Sequence, residues 1–213
     1  MNHKVYIVGG DALIERMFIS HGIYPVSHPS EATLACFTGG SDVTPSLYDE
    51  KNVGSYSDWH RDVAEMADFA EIQELGIPSV GICRGGQFLN VMNGGKMWQN
   101  VNNHAIGGTH ELKLEFDEGA GPGFYQVTST HHQMMRHAEG GAVIGKATLA
   151  TRFEGDNKDK QPDFDTEIVW YAKTNCLCFQ PHPEYNGDRD DTEKLFFMLL
   201  DGYGFLFDDR QAG

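Results

Sequence analysis

The stretch SVGICRGGQ at residues 79–87 decides the fold of this chain. Residues 78–82 form a short apolar run, which predicts a buried strand. Apolar side chains then recur at helical spacing over residues 88–92, which predicts a helix. One cysteine, Cys83, lies between them and is flanked by glycines. The sequence therefore predicts a strand, a sharp turn that carries a cysteine, and a helix.

Cys83 has the setting of a nucleophile. A strand that turns sharply into a helix exposes its turn residue, and the helix N-terminus places a positive dipole beside that residue. The dipole favours loss of the thiol proton, and the thiolate is the nucleophilic form. The alternative is a buried cysteine beside a glycine-rich turn, with no chemical role.

The composition indicates one globular domain with the boundaries 1–213. Of its 213 residues 40% are hydrophobic and 22% charged, which suits a full core and an ordinary surface. The formal net charge of -15 disfavours binding to nucleic acid or to an anionic membrane, because both need a basic face. No apolar run in the sequence approaches the roughly 20 residues of a membrane helix.

The cysteines and the N-terminus indicate a cytoplasmic protein. The four cysteines, at positions 36, 83, 176 and 178, do not form a secreted disulfide framework at this length. The first residues, MNHKVYIV, contain an apolar part that is too short for a signal peptide. We therefore expect the reducing environment of the cytoplasm.

Strand and helix patterns alternate in the first half of the chain. This order predicts a mainly parallel sheet with helices on both faces. A loop is expected over residues 43–59, which contain a proline and little periodicity. The predicted strands are 4–8, 23–26, 34–37 and 78–82, and the predicted helices are 12–22, 61–75 and 84–93.

The second half consists mainly of short strand patterns separated by glycine and polar turns. A polar segment over residues 154–165 predicts an exposed loop, and a last helix is expected to begin near residues 190–192. The predicted strands are 96–101, 111–116, 125–130, 143–153, 167–172 and 176–179.

Two consecutive glycines, Gly39 and Gly40, follow the predicted strand 34–37. Because glycine has no side chain, backbone N–H groups at this strand end can point at a ligand. In open α/β sheets, ligands bind at the carboxyl ends of the strands, which is also where Cys83 is expected.

The segment QPHPE at residues 180–184 has the pattern of a base with an orienting carboxylate. Its prolines are expected to hold His182 in an extended loop. His182 and Glu184 would then point the same way, so the carboxylate can bind one ring nitrogen and leave the other for a nucleophile. Alone, such a pair is more often an ordinary surface feature, but Cys83 at the same sheet edge favours catalysis.

These motifs together resemble a known family. GICRGGQ at 81–87 and QPHPE at 180–184 are similar to the class I glutamine amidotransferase pattern. FTGGSDVTPSLY at 37–48 and STHHQ at 129–133 resemble the γ-glutamyl hydrolase branch that includes γ-glutamyl-γ-aminobutyrate hydrolase. The resemblance implies an α/β fold, a flavodoxin-like three-layer sandwich with a mainly parallel central sheet and a small antiparallel β insert in the second half. It covers about residues 34–200, and the first strands are compressed relative to that branch.

The resemblance implies a cysteine-dependent hydrolase with three catalytic residues. Cys83 would attack the γ-carbonyl of glutamine or of a γ-glutamyl amide, and His182 would protonate the leaving amine. Glu184 would orient His182. A thioester would form on Cys83, and water would complete the hydrolysis.

The resemblance also implies how the substrate is held. The backbone N–H groups of Gly40 and Arg84 match the oxyanion-hole positions. His131 and Gln133 would act largely through their backbone, whereas Gln87 could alternatively face solvent on its helix. The substrate-binding positions are Gly39, Gln87, His131 and Gln133.

No cofactor and no metal is implied by the resemblance. The adjacent His131 and His132 suggest a metal site, but no third ligand lies at close spacing and the resembling family uses no metal. Cys176 and Cys178 alternate onto one face of a strand, where core cysteines are expected rather than a redox or zinc site.

The roles of four further residues stay open in the sequence. Asp62 could cap the start of its helix, or Arg61 and Asp62 could lie at the rim of the active site, where the resembling branch carries an Arg-Asp pair. His104 and His110 lie in the β-rich second half and receive no role.

Three functions compete. The signatures at 37–48 and 129–133 favour a γ-glutamyl hydrolase or glutaminase that acts on a small γ-glutamyl substrate. The second function is the ammonia-producing subunit of a two-component amidotransferase, which needs a separate synthetase as partner. The third is a non-catalytic, redox-sensing member of the fold, which the intact His182 and Glu184 disfavour.

Overall fold

One large sheet runs through both halves of the chain. The fold is that of a computed structural model, which describes residues 3–115, 122–151, 162–185 and 190–206. Within these ranges the chain forms eleven strands and four α-helices. The strands are β1 Lys4–Val8, β2 Tyr24–Val26, β3 Leu34–Phe37, β4 Ser79–Ile82, β5 Lys96–Trp98, β6 Ala105–Leu114, β7 Gly123–Thr130, β8 Met134–Arg136, β9 Ala142–Ala147, β10 Asp165–Tyr171 and β11 Cys176–Phe179. The helices are α1 Ala12–Ser20, α2 Trp59–Glu74, α3 Arg84–Met92 and α4 Thr192–Gly202.

Nine strands form one mixed sheet in the order β2-β1-β3-β4-β11-β10-β9-β6-β7. The first five pair in parallel, and the other pairs are antiparallel. β5 and β8 form a separate two-stranded antiparallel sheet. The predicted mainly parallel central sheet with a small antiparallel addition is therefore confirmed. The second-half strands also extend the central sheet by four antiparallel strands.

Helices cover both faces of the parallel strands and form two apolar cores. One core contains Phe18 from α1 and Phe196 from α4, and the other contains Ile72 from α2 and Phe88 from α3. Successive residues of β11 alternate between the two cores, as side chains of a buried strand must. Burial of each such large apolar side chain contributes about 1.5–3 kcal/mol.

Aspartates outside the helices cap the first two of them. The Asp11 carboxylate accepts hydrogen bonds from the first turn of α1, and Asp58 does the same for α2. Helix α2 therefore begins two residues before the predicted position, and the interpretation of Asp62 as its cap is wrong. None of the helices in the described ranges is long and apolar enough to cross a membrane.

The second-half strands differ from the predicted bounds where the antiparallel pairing is irregular. β6 begins at Ala105, because a register shift before Gly108 lets its first part still pair with β7. β9 ends at Ala147, and β8 was not predicted. A 3₁₀ helix, Pro45–Tyr48, lies in the loop predicted for 43–59. Most of the loop predicted for 154–165 lies outside the described residues, and Asp165 begins β10.

All four cysteines lie in the described residues, and all are buried and free. Cys176 and Cys178 pack in the same apolar core, which confirms the prediction of core cysteines. Burial raises the pKa of Cys36 and of Cys178 well above the usual thiol value. These thiols are therefore unreactive at neutral pH, in contrast to what is expected of Cys83.

Candidate active site

Cys83 occupies a strained turn between β4 and α3. Its φ of 51° and ψ of -110° lie outside the regions that residues other than glycine usually adopt. Such strain costs about 1–3 kcal/mol and persists where the surrounding structure holds the residue in place. The Cys83 carbonyl accepts a hydrogen bond of 3.0 Å from Gln87 N, so α3 begins directly at the cysteine. The predicted strand, turn and helix are thus present.

The glycines around Cys83 let α3 approach the sheet. A Cβ atom on Gly81 would lie 2.3 Å from the backbone of Gly85, and one on Gly85 would lie 2.1 Å from the Phe37 carbonyl oxygen. Side chains at these positions would push the first turn of α3 away from β3 and β4. The glycines therefore place the helix N-terminus, with its free N–H groups, beside Cys83.

His182 and Glu184 form a buried pair beside Cys83. His182 Nδ1 lies 2.6 Å from Glu184 Oε1. Burial favours the neutral imidazole, but the charge and hydrogen bond of the Cys83 sulfur, together with Glu184, outweigh it and raise the pKa of His182 to about 10. The cationic form of the His182 ring is therefore favoured beside the Cys83 sulfur, which is the arrangement of a cysteine with its base.

The pair is formed by a tight turn rather than by an extended loop. Pro183–Tyr185 form a 3₁₀ helix, so the prediction of extended backbone is wrong, although the predicted contact is present. His182 N donates to Thr128 Oγ1 at 2.6 Å, and the Tyr185 ring stacks on the imidazole at 4.4 Å. These contacts fix the ring, so that its free nitrogen can face the sulfur.

Gln180 contacts the sulfur and was not assigned a role from the sequence. Gln180 Nε2 donates to Cys83 Sγ at 3.5 Å, and its Oε1 accepts from Gln87 Nε2 at 3.1 Å. Gln87 also donates to the Gln133 carbonyl at 3.3 Å and is only 2% exposed, so it does not face solvent. The position of Gln180 at the start of the QPHPE motif was the signal that could have identified it.

Arg61 holds the Gly39-Gly40 turn next to Cys83 and His182. Its Nη1 donates to the Gly39 carbonyl at 2.9 Å, and its Nη2 donates to the Thr38 carbonyl at 3.0 Å. Gly40 has a φ of 130°, a conformation that favours glycine. A Cβ on Gly39 would lie 3.0 Å from His182 Cε1, so this turn packs directly on the His182 imidazole. Arg61 therefore belongs to the wall of the site.

The Arg84 side chain points into the protein and not toward the sulfur. Its guanidinium, 1% exposed, forms ion pairs with Asp62 and Glu65 from α2. Burial and the nearby Arg61 lower the pKa of Arg84 to about 10. Asp62 also accepts a 3.0 Å hydrogen bond from Thr44 N, so it is a buried structural partner rather than a rim residue. Only the backbone of Arg84 is left for an oxyanion.

A cavity of about 200 Å³ opens beside Cys83. This is smaller than the roughly 300–1,000 Å³ of sites for drug-sized ligands, which favours a group the size of an amino acid. The predicted positions Gly40, Cys83, Gln87 and Gln133 meet at this cavity although they are far apart in the sequence. The lining residues are Gly40, Ser41, Asp42, Tyr56, Cys83, Arg84, Gln87, Thr130, His131, His132 and Gln133.

The segment 131–133 reaches the cavity mainly with its backbone. The Gln133 side chain turns away and donates to Ser55 Oγ at 2.6 Å. The Gln133 carbonyl lies 2.8 Å from His131 Nδ1, and the other ring nitrogen of His131 lies 3.4 Å from the buried Glu167. The His131 ring is thus directed into the protein, and only the backbone of His131 is left for a substrate.

Two further residues at the cavity were missed in the sequence. His132 Nε2 lies 3.0 Å from Asp42 Oδ1, and Asp42 Oδ2 accepts from Tyr56 N at 2.7 Å. Both residues lie inside quoted motifs, but the residues of the pair are far apart in the chain. Asp42 thereby places a carboxylate at the cavity wall.

The fold and the site together define a class of protein. A cysteine at a strained turn and a His–Glu pair share the carboxyl edge of a parallel sheet that has helices on both faces, which is the architecture of the class I glutamine amidotransferase-like group. The sequence model of one family, Peptidase C26, matches residues 34–184, which is more than half of the chain. The chain belongs to the Peptidase C26 family, whose general chemistry is cysteine-dependent amide hydrolysis.

Curated relatives are similar to this chain in sequence, and a solved structure shares its fold. The glutamine amidotransferase-like protein YvdE of Lactococcus lactis is 28% identical over 180 residues, which cover 76% of this chain and 70% of that protein. The carbamoyl phosphate synthase small chain of Polynucleobacter asymbioticus is 28% identical over 64% of this chain and 32% of its own length. The crystal structure of a glutamine amidotransferase from Thermotoga maritima has the same fold, with a TM-score of 0.60 at 16% identity over 94% of this chain and 83% of that one.

Proposed function

We propose that this protein hydrolyses the γ-glutamyl amide bond of glutamine or of a γ-glutamyl amine through a thioester on Cys83. The observation that carries the proposal is the buried His182–Glu184 pair, 2.6 Å apart, which directs a cationic ring toward the sulfur of a strained turn. The triad consists of Cys83 as nucleophile, His182 as acid and base, and Glu184 as the group that orients His182.

The first half-reaction forms the thioester. The Cys83 thiolate attacks the amide carbon, a C–S bond forms, and the carbonyl electrons move onto oxygen. The N–H groups of Gly40 and Arg84 stabilise this oxyanion. His182 then gives its proton to the amide nitrogen, the C–N bond breaks, and ammonia or an amine leaves.

The second half-reaction returns the enzyme to its starting state. Neutral His182 takes a proton from water while the water oxygen attacks the thioester carbon, and the same oxyanion site holds the intermediate. The C–S bond then breaks, and Cys83 leaves as a thiolate beside a protonated His182. The product is the free γ-carboxyl group of glutamate.

The cavity suits a glutamyl head. Its volume of about 200 Å³ fits a small polar group. Since Arg84 is neutralised by Asp62 and Glu65, the substrate α-carboxylate is left to backbone N–H groups around residues 131–133. Asp42 is the one carboxylate among the described cavity residues. Each of its oxygens has one contact within the protein and keeps a further lone pair with which to bind the α-ammonium group.

An assay of amine release tests the proposal. Purified protein is offered glutamine and a panel of γ-glutamyl amines, and glutamate and free amine are measured. Cys83→Ala should abolish release, whereas Cys178→Ala, which removes a core sulfur outside the site, should retain it. Mass spectrometry of the quenched reaction should find a γ-glutamyl adduct on Cys83. If no compound releases amine in a Cys83-dependent way, with or without a synthetase, the proposal is refuted.

A second candidate is the ammonia-supplying subunit of a two-component synthetase. The similarity to a carbamoyl phosphate synthase small chain over 64% of this chain favours it. In that case glutamine should be the preferred substrate and its hydrolysis should rise when the partner synthetase is added. Efficient hydrolysis of one γ-glutamyl amine by the isolated chain would favour the stand-alone hydrolase.

A further inference from the structure

A buried carboxylate, that of Glu167 in β10, lies next to the segment 131–133 that lines the candidate active-site cavity. Three histidine rings face its Oε1 atom. Nδ1 of His104 lies 3.3 Å from this oxygen, and the Nε2 atoms of His110 and His131 each lie 3.4 Å from it. Burial alone would raise the pKa of Glu167, but His131 and the other two rings hold it well below its usual range. Glu167 is therefore an anion inside the protein.

Fold stability alone does not explain an anion at this position. Moving a carboxylate out of water is costly, and buried ion pairs often do no more than offset that cost. The next two residues of β10, Ile168 and Val169, pack in the two apolar cores, where an apolar side chain meets no such cost. The proposed hydrolysis uses no atom of the Glu167 side chain. The groups that Glu167 contacts therefore indicate what it does.

The ring of His131 connects Glu167 to the backbone at the cavity. Its Nε2 faces the Glu167 carboxylate, and its Nδ1 lies 2.8 Å from the carbonyl oxygen of Gln133, two residues further along the chain. Because a carbonyl oxygen only accepts hydrogen bonds, Nδ1 carries a proton and donates it. The ring thus lies between the buried carboxylate and the segment 131–133, and it fixes the turn of that segment.

The Gln133 carbonyl continues these contacts toward the sulfur of Cys83. It also accepts a hydrogen bond of 3.3 Å from Gln87 Nε2, and Gln87 in turn donates to Gln180, the residue that contacts Cys83. The orientation of the peptide groups in the segment 131–133 also determines which backbone N–H groups face the cavity. The position of the His131 ring therefore affects the part of the site where the substrate α-carboxylate is expected.

Glu167 is itself held from two other directions. Its own carbonyl accepts a hydrogen bond of 2.9 Å from Gln180 N. His104, which faces the Glu167 carboxylate with Nδ1, has its Nε2 only 2.9 Å from Asp165 Oδ2. Burial favours the neutral ring of His104, but Asp165 and Glu167 outweigh it and raise the pKa of His104 to about 9. A cation between two anions keeps the Glu167 carboxylate in one place.

We propose that Glu167 is a positioning residue for substrate binding, and that it acts through His131. It holds the segment 131–133 in the conformation that presents backbone N–H groups to the α-carboxylate of a glutamyl substrate. The inference rests on the proposed function, because that function supplies the substrate. Since Glu167 touches none of the reacting atoms, its loss should weaken substrate binding and leave the chemical step nearly unchanged.

Substitutions around this one carboxylate separate positioning from stability. Glu167→Gln keeps the size of the side chain and removes its charge, so it should raise KM for the best γ-glutamyl substrate about tenfold while kcat stays within about twofold. His110→Gln is the matched control, because His110 faces the same carboxylate oxygen but is not the ring that binds the Gln133 carbonyl. It should leave KM within about twofold of the wild type, even where it lowers the Tm.

A double substitution tests whether Glu167 acts through His131. His131→Asn keeps an amide near the position of Nδ1 but does not reach Glu167, so it should raise KM by about the same factor as Glu167→Gln. The double variant should then be no worse than either single one, because both remove the same connection. Independent effects would instead multiply. If Glu167→Gln does not fold, His131→Asn and His110→Gln carry the comparison of KM.

Hydrogen–deuterium exchange gives a readout that does not depend on activity. In Glu167→Gln, exchange should rise at least threefold in peptides that cover residues 129–136 and stay unchanged in peptides of α2. In His110→Gln it should stay unchanged in both. If the wild type releases no amine from any γ-glutamyl compound, the proposed function has failed, and the exchange at 129–136 alone decides whether Glu167 holds the segment.

Three results would overturn the inference. The first is a Glu167→Gln variant whose KM stays within twofold of the wild type, or whose kcat falls more than its KM rises. The second is an equal rise in KM for His110→Gln, which would show that any change around the carboxylate acts through stability. The third is unchanged exchange at residues 129–136 in Glu167→Gln.

Discussion

Replacement of Glu184 tests the central pair of the proposed mechanism. Its carboxylate is 4% exposed and lies 2.6 Å from His182 Nδ1, while its second oxygen has no hydrogen-bond partner among the described residues. Among the described residues, the Glu184 carboxylate therefore forms its side-chain hydrogen bond with His182. Glu184→Gln keeps an acceptor of nearly the same shape and removes the charge, and Glu184→Ala removes both.

The expected loss of activity follows from the free energy that the His182–Glu184 hydrogen bond contributes. A hydrogen bond to a charged group contributes about 1.5–3 kcal/mol, and a neutral one contributes about half as much. Since 1.36 kcal/mol in activation free energy is tenfold in rate, Glu184→Ala should lower kcat/KM by about 10–150-fold. Glu184→Gln, which loses about 0.75–1.5 kcal/mol, should lower it by about 4–13-fold.

The pH profile gives a second readout. Burial favours neutral His182, but the Cys83 sulfur and Glu184 raise its pKa to about 10 in the folded protein, above the ordinary 6.5. Wild-type activity should therefore fall as the pH rises through about 10, where the imidazolium is lost. The same shift stabilises the fold fully below the unfolded pKa and loses that contribution as the pH rises toward 10. Without the Glu184 charge, the loss of activity should move to lower pH.

The assay is amine release from the best γ-glutamyl substrate, measured from pH 6 to the alkaline limit of stability. Circular dichroism verifies folding, and Glu139→Gln, which neutralises an exposed carboxylate outside the site, is the matched control. The reasoning is refuted if Glu184→Gln keeps kcat/KM within twofold of the wild type with an unchanged alkaline limb.

Three further substitutions probe the supports of the site. Arg61→Lys loses the two-pronged contact with the glycine turn and should lower kcat about tenfold with little change in KM, measured by steady-state kinetics. Gly85→Ala places a methyl group 2.1 Å from the Phe37 carbonyl and should lower the free energy of unfolding by about 3 kcal/mol or more, measured in urea. Gln180→Met removes the donor to the Cys83 sulfur and should slow alkylation of that thiol by iodoacetamide up to about tenfold at neutral pH.

A specific experimental result would contradict each of these three predictions. Gly108→Ala is the control for Gly85→Ala, because its methyl group meets open space, and equal stability of the two variants would contradict the packing argument. An Arg61→Lys variant that changes only KM would show that Arg61 binds substrate instead of positioning the turn. Alkylation of Gln180→Met at the wild-type rate would exclude a role for the amide at the sulfur.

Much of the fold was predictable because the sequence patterns that indicate its strands and helices involve near neighbours in the chain. β1 and β3 have the predicted bounds, and β4 and β11 differ by at most one residue, since buried parallel strands appear as short apolar runs between turns. The antiparallel half was less predictable. Its strands pair through bulges, as β6 does near Gly108, and bulges break the alternation on which a prediction depends.

The candidate triad was also predictable, because its parts lie at the ends of strands. Cys83 follows β4 and His182 follows β11, and adjacent parallel strands end at the same sheet edge. The backbone conformation that brings His182 and Glu184 into contact was not predictable, since two prolines are compatible with both an extended segment and a 3₁₀ turn.

The order of residues along the chain thus determines the parallel strands, the cysteine turn and the His182–Glu184 pair, because each of these depends on near neighbours. Packing between distant elements decides what Arg61, Arg84 and the buried histidines do. Asp62 and Glu65 reach Arg84 only because α2 and α3 cover the same sheet face. The buried His104, His110 and His131 lie within 3.3–3.4 Å of Glu167 only because the antiparallel strands β6, β7, β9 and β10 pair side by side and bring distant parts of the chain together.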